Sequence, residues 1–362
     1  RHQEIYTQCK GSMHAQSSAL NDPIHGPFYR AVVGDPTQEG VKMKNGKFPV
    51  CLQCHAPNAA RDKKTKLDAM AAYAEGVNCV ACHTLAKFKG TDSPEGKPQL
   101  GLKAYETADA IQAPSGMNIE LAKLKAASAD DPFGGALEAE SDKKPNPHLG
   151  EAVMLDGEEI PALPMQSNPQ QMRTSDACMG CHEKRSNFHG TPLCRTGNEY
   201  RAAKNFVSCQ ACHMSIVTVP KIKDGNFVPG EFVSIPDHSM AGGHDGKMIT
   251  RGLAMTMQTE RDGEVLRTTL TVRNRLPHAY PTGAPFRNFF IRLATYDKDG
   301  KQLWKNYKIH PIKDDPPAAF WYGSLQPGWA AKVSVSAIGL PAARAGSRST
   351  RSRVSPGSPA RS

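Results

Sequence analysis

The chain has 362 residues, 39% of them hydrophobic, and a formal net charge of +10 at pH 7, enough for one large domain or two ordinary ones with real cores. No apolar run approaches the roughly 18 residues of a membrane span, and the opening RHQEIYTQCKG lacks the apolar stretch of a secretory leader, so it reads as cytosolic or already processed. The lysines sit scattered beside acids, as in RDKKTKLD and YDKDGKQLWK, which describes a solvated surface and excludes a nucleic-acid interface.

In chain order, the first predicted element is a short helix around His14 in KGSMHAQSSALNDP. Cys51-Leu-Gln-Cys54-His55 follows, then a helix over 63–76 that stops at Gly76, then Cys79-Val-Ala-Cys82-His83. A second helix is predicted over 117–128. Otherwise 84–177 is rich in Pro, Gly and polar residues without period, more irregular chain than an ordinary domain holds. Cys178-Met-Gly-Cys181-His182 and Cys209-Gln-Ala-Cys212-His213 come next, at a spacing close to that of the first pair, as in a duplicated module. After residue 224 the pattern changes. EVLRTTLTVRNRL, FRNFFIRLATYDKDGKQLWKNYKI and AAKVSVSAI alternate apolar and polar residues between turns such as Lys298-Asp299-Gly300, which predicts short strands of a β-sandwich. The end, 342–362, is basic, rich in Ser, Arg, Pro and Gly, and predicted to be disordered.

C-x-x-C-H is the attachment motif of c-type haem: two thiols bond the haem vinyl groups and the adjacent histidine coordinates iron. A thioredoxin-type dithiol needs one such site in a βαβ setting, and zinc pairs need no histidine after every second cysteine. Four copies therefore predict four haem c groups with iron. They are held by Cys51, Cys54, Cys79, Cys82, Cys178, Cys181, Cys209 and Cys212, with His55, His83, His182 and His213 as proximal ligands. The expected fold is a mostly irregular and α-helical haem domain over 1–224, wrapped around four rings that supply the core. A β-sandwich-like domain over 225–341 and the basic tail complete it. Haem attachment of this kind places a chain outside the cytoplasmic membrane, extracellular or periplasmic. That compartment permits disulfides, and the two cysteines left over, Cys9 and Cys194, are expected to form one.

An iron with a second axial histidine can only pass electrons, whereas one with an open position can bind substrate. The four motif histidines leave nine others, enough to close every iron. His14 lies among small residues that allow close approach to a flat ring, and His148 in the proline-bounded loop KKPNPHLGEA. His238 and His244 share PDHSMAGGHDG, whose glycines let backbone approach a cofactor, and His278 lies in the turn RNRLPHAYPTGAP. His189 and His25 are weaker alternatives; His2 and His310 read as surface.

YTQCKGSMHAQSSALNDP, CLQCHAPNAA, EGVNCVACHT, SCQACHMS, DHSMAGGHD and RLPHAYPTGAPFRNFF, in this order, resemble the hydroxylamine-oxidoreductase-like multihaem cytochromes, a group that includes periplasmic carriers and OmcE-type extracellular filaments. The resemblance spans roughly 4–290. It implies His14, His148, His238 and His278 as distal ligands, with His244 and His189 in reserve. It also implies Trp where this chain has Cys9, a departure that favours the disulfide. The resulting expectation is electron transfer through bis-histidine haems and no enzyme activity. The chain would be a subunit of a homo-oligomeric filament, or else a soluble periplasmic carrier or, behind both, a multihaem reductase with one open iron site, with other redox proteins or extracellular electron acceptors as partners and no nucleic acid or membrane span.

Overall fold

The computed structural model describes residues 3–114, 153–155, 158–160, 164–186, 190–223, 226–262, 265–283, 287, 289–291, 293–305, 320–321, 326–328, 330–338 and 353–355. The chain divides into two compact units, one of residues 1–183 and 207–241, the other of 184–206 and 242–362. This differs from a single boundary at 224: the segment 184–206 joins the C-terminal unit, and a ribbon of strands Ile216–Lys223 and Asn226–Pro236 crosses the expected junction inside the first.

The first unit carries all four C-x-x-C-H motifs. Its helices are short. Gln3–Gly11 and His25–Val32 span two turns or so, while Leu52–His55, Pro57–Arg61, Ala71–Ala74 and Cys79–His83 are single turns. The helix expected over 63–76 is thus reduced to Ala71–Ala74, because the Thr65 and Lys66 amides bond the Glu39 carboxylate, the Leu67 amide bonds the Pro36 carbonyl, and Met70 is extended at φ −145°. His14 lies in the turns that follow the first helix, not in a helix of its own. The helix expected over 117–128 lies outside the described residues. Strand pairs connect the pieces: Leu85–Phe88 with Tyr105–Thr107 antiparallel, and Ile111–Ala113 with Met165–Ser167 parallel. One core cluster joins Ala19, Tyr29, Leu52, Ala56, Ala59, Ala60, Leu67 and Tyr73; another joins Leu85, Ala104 and Tyr105. So many alanines bury little apolar area for the number of residues ordered, and such a core leaves much of the stabilisation to something else that is large and apolar.

The second unit holds the alternating sequences, and they are strands. Leu253–Asp262, Val265–Asn274, Ala330–Ile338 and Arg353–Ser355 form a four-stranded antiparallel sheet. The last of these lies within the tail expected to be disordered, so the disorder expected there does not extend to 353–355: they add an edge to the sheet by pairing with Lys332–Ser334. Ala294–Tyr296 pairs with Gln302–Lys305 around the predicted turn, where Gly300 has φ 81° and Asp297 Oδ1 accepts from the Asp299 and Lys301 amides at 2.9 Å each. Leu270, Val272 and Ile291 pack with Leu253, Phe289 and Leu293.

Candidate haem sites

Each motif occupies one helical turn. Cys51 precedes Leu52–His55 at its cap position, and the other three lie within Cys79–His83, Asp176–His182 and Cys209–His213. The spacing i, i+3, i+4 puts both thiols and the imidazole on one face. Caps fix where two of these turns begin. Asn78 Oδ1 accepts from the Ala81 amide at 3.1 Å, and Ser208 Oγ from the Ala211 amide at 3.3 Å.

The third motif is clamped by Tyr105. Its phenol oxygen lies 3.0 and 2.9 Å from the Asp176 and Ala177 carbonyls and accepts from the Gly180 amide at 2.9 Å. A Cβ on Gly180 would sit 2.8 Å from Tyr105 Cζ and 3.0 Å from Ala104 Cβ, so Cys-x-Gly-Cys is the one version of the motif that fits against this ring. The fourth motif is tied to the third. Ser175 Oγ accepts from the Cys209 amide at 3.1 Å, and Gln210 Nε2 donates to the Met172 and Thr174 carbonyls at 3.2 and 2.7 Å. Thiols of different motifs also meet: Cys54 hydrogen-bonds Cys181, and Cys178 hydrogen-bonds Cys209.

The histidines show what the sites are built to bind. His55 Nδ1 lies 3.1 Å from the Ser17 carbonyl, His83 Nδ1 2.9 Å from Gln112, and His213 Nδ1 2.6 Å from Ala241. His238 Nδ1 lies 2.8 Å from the Pro236 carbonyl. A carbonyl only accepts, so Nδ1 carries the proton and Nε2 keeps the lone pair that a metal takes. Metal–imidazole bonds run about 2.0–2.1 Å, and the ring centre lies about 1 Å behind the nitrogen, so two histidines on opposite sides of one ion have centroids about 6 Å apart. His83 and His238 are 6.5 Å apart with planes 18° from parallel, and His182 and His14 are 5.9 Å apart at 73°. Desolvation, then the imidazoles of His182 and His213, push His14 down to about 4 and keep it neutral, the form that coordinates. Donor chemistry and spacing both fit haem iron.

Of the other candidates, His278 Nδ1 donates to the Ala279 carbonyl at 2.9 Å. Its loop is held within the second unit by Asn274 Nδ2 on the His278 carbonyl, 2.8 Å, and by Glu199 Oε2 accepting from the Ala279 amide, 3.0 Å. His244 lies in the same unit. His148 and His189 lie outside the described residues. His25 stacks on His55 with centroids 3.8 Å apart, and both rings point Nδ1 at the Ser17 carbonyl. They stand side by side and do not face each other across an ion. The buried Cys9 thiol hydrogen-bonds Cys79, and Cys194 Sγ lies 3.9 Å from Thr196 Oγ1.

Repeated C-x-x-C-H turns with opposed histidines define a multihaem c-type cytochrome, and comparison with known proteins agrees. Residues 2–84 match the family described as cytochrome c554 and c-prime. The chain is 48% identical to a penta-heme cytochrome c552 from Thermochromatium tepidum, with a TM-score of 0.74 over 92% of this chain and 84% of that one. The chain belongs to the family of this multihaem cytochrome c. No curated protein matches it. It therefore binds haem c, with its iron, and serves electron transfer. The expectation that it is not an enzyme is corrected: kinship with the penta-heme cytochrome defines a redox haem protein and does not confine it to carriage, so catalysis is not excluded. No helix among the described residues is long and apolar enough to cross a membrane.

Proposed function

We propose that the chain carries electrons through four haems c, one at each motif, and that the second and third irons are closed by histidine pairs, His83 with His238 and His182 with His14. The observation that carries this is the spacing of the two pairs, 6.5 and 5.9 Å between ring centres. When bound, haem supplies a one-electron iron couple, and the protein tunes it through axial ligands, the hydrogen bonds behind them and burial. Backbone carbonyls at Gln112 and Pro236 hold the second pair on both sides. Thiol contacts from Cys54 to Cys181 and from Cys178 to Cys209 bring the first, third and fourth motifs together. The amide of Val77, two residues before the second motif, donates to the His14 carbonyl at 2.9 Å, linking that motif to the third iron's ligand. His148 and His278 are the proposed distal ligands of the remaining irons, on the sequence resemblance, with His244 and His189 in reserve.

The same resemblance supports an extracellular filament subunit of the hydroxylamine-oxidoreductase-like, OmcE type, with a soluble periplasmic carrier as the alternative; a β-sandwich for the second unit is likewise proposed from its alternating strands. Intact-protein mass together with a potentiometric titration followed optically tests the reading. Four covalent haems and four one-electron steps are expected. Fewer than four haems on the mature chain would overturn the count, and haem released by acidified organic solvent would overturn covalent attachment.

A further inference from the structure

Cys9 belongs to no C-x-x-C-H motif, yet the helix that carries it is built around the second one. Its thiol is buried, 6% exposed, and hydrogen-bonds the thiol of Cys79. One residue earlier, Gln8 Oε1 accepts from the backbone amide of His238 at 2.9 Å, and His238 stands opposite His83 of the same motif. Five residues later the His14 carbonyl accepts from the Val77 amide, at 2.9 Å, in the segment leading into Cys79. Gly76, at φ 66°, has no room for a Cβ there, which would fall 2.6 Å from Ser17 Oγ and 2.8 Å from the His14 carbonyl oxygen. The helix Gln3–Gly11 and the turn after it are thus held to the second motif at three points, and the sulfur of Cys9 shares its site with the sulfur of Cys79.

We propose that Cys9 is a third haem-attachment thiol of the second site, placed to bond the same vinyl group as Cys79. The chemistry needs no oxidant or reductant. The S–H bond adds across the vinyl C=C, sulfur bonds the carbon nearer the macrocycle, and the proton ends on the outer carbon, so the thioether contains every atom of both reactants. Cys79 sits in the motif beside Cys82 and takes the vinyl in the mature wild type, with Cys9 packed as a thiol against the product. Removal of Cys79 hands the vinyl to Cys9. The inference rests on the second motif being a haem site, and its failure is distinguishable: a wild-type second motif without haem would indict the haem reading, whereas a variant whose haem is lost or held by Cys82 alone indicts only the role of Cys9.

The test uses the mature full chain as wild type, Cys79→Ala, and Cys79→Ala combined with Cys9→Ala. Proteolysis and mass spectrometry of haem peptides should show, in the single variant, the Cys9 peptide and the Cys82-His83 peptide joined through one haem. The pyridine haemochrome band should stay at its wild-type position because every vinyl remains saturated. In the double variant the cross-link should vanish and the band should move to longer wavelength. An alkylatable Cys9 in the single variant, with haem on Cys82 alone, overturns the proposal. Should the variant not accumulate, wild-type mapping decides: the proposal requires Cys9 as a thiol, and a Cys9–Cys194 bridge in the mature protein would hold the sulfur away from the site and overturn it.

Discussion

Replacing Tyr105 with Phe removes one oxygen and leaves the ring in place. That oxygen, on a residue 4% exposed, accepts the Gly180 amide and donates to the carbonyls of Asp176 and Ala177, all within 3.0 Å. Burial raises the phenol well above its ordinary range, so it remains a donor at any working pH. Losing it strands a buried amide, at about 1–3 kcal/mol, and weakens one shared carbonyl bond worth about 1 kcal/mol. A total of about 2–4 kcal/mol follows, because no water-sized space opens when only the hydroxyl is deleted. With a guanidinium slope of about 5 kcal/mol/M for a unit of this size, the unfolding midpoint of the holoprotein, read by circular dichroism, should fall by about 0.5 M. The third motif should loosen with it, and a fraction of the third iron should change spin state in the ferric spectrum. A midpoint within about 0.1 M of wild type, with an unchanged spectrum, would show that the phenol does not hold this motif.

Gly180→Ala is expected to do more damage than Tyr105→Phe, since the new Cβ enters the ring of Tyr105; haem stoichiometry of the purified chain checks it, and a full complement of haem would contradict it. His14→Ala and His238→Ala should each turn one low-spin ferric iron high-spin and raise one reduction potential, leaving the others nearly unmoved. Gln210→Ala removes two bonds between the third and fourth motifs and should lower the midpoint by an amount corresponding to about 1–2 kcal/mol. Glu39 accepts from the Lys66 and Thr65 amides, which hold its carboxyl below the usual range. A depressed folded value means stability that is present above the unfolded value and lost as pH falls through the folded one. The wild type should therefore lose slightly more stability than Glu39→Gln on acidification below about pH 4.5.

The haem-attachment motifs were legible because C-x-x-C-H is a covalent requirement written in consecutive residues. The strands around Leu270 and Val272 were legible because one buried face imposes alternation. The helices were not. Turns of four or five residues such as Leu52–His55 contain no 3.6-residue period to read, and they are stabilised by the groups packed on them. The helix expected over 63–76 is cut short because the Thr65 and Lys66 amides bond the Glu39 carboxylate and the Leu67 amide the Pro36 carbonyl, partners that leave no local signal. The strand Leu253–Asp262 escaped notice because Met255 and Met257, which point apolar residues outward at 64% exposure each, break the expected alternation. His14 and His238 were singled out by their small-residue contexts, but the motif histidine that each one faces lies more than 150 positions away in the chain and is visible only in space. The neighbourhood of Cys9 shows the same limit. Counting cysteines paired it with the other remainder, whereas packing of its helix put it against Cys79.

Electron paramagnetic resonance of the fully oxidised protein tests the central claim most directly, because it reads the two histidine pairs separately. Imidazole planes 18° from parallel at His83 and His238 split the iron orbitals and give a rhombic low-spin signal. Planes at 73° at His182 and His14 leave those orbitals nearly degenerate and give a highly anisotropic low-spin signal. Both should be present, the first lost in His238→Ala and the second in His14→Ala. A spectrum in which neither variant changes a low-spin signal would contradict the account.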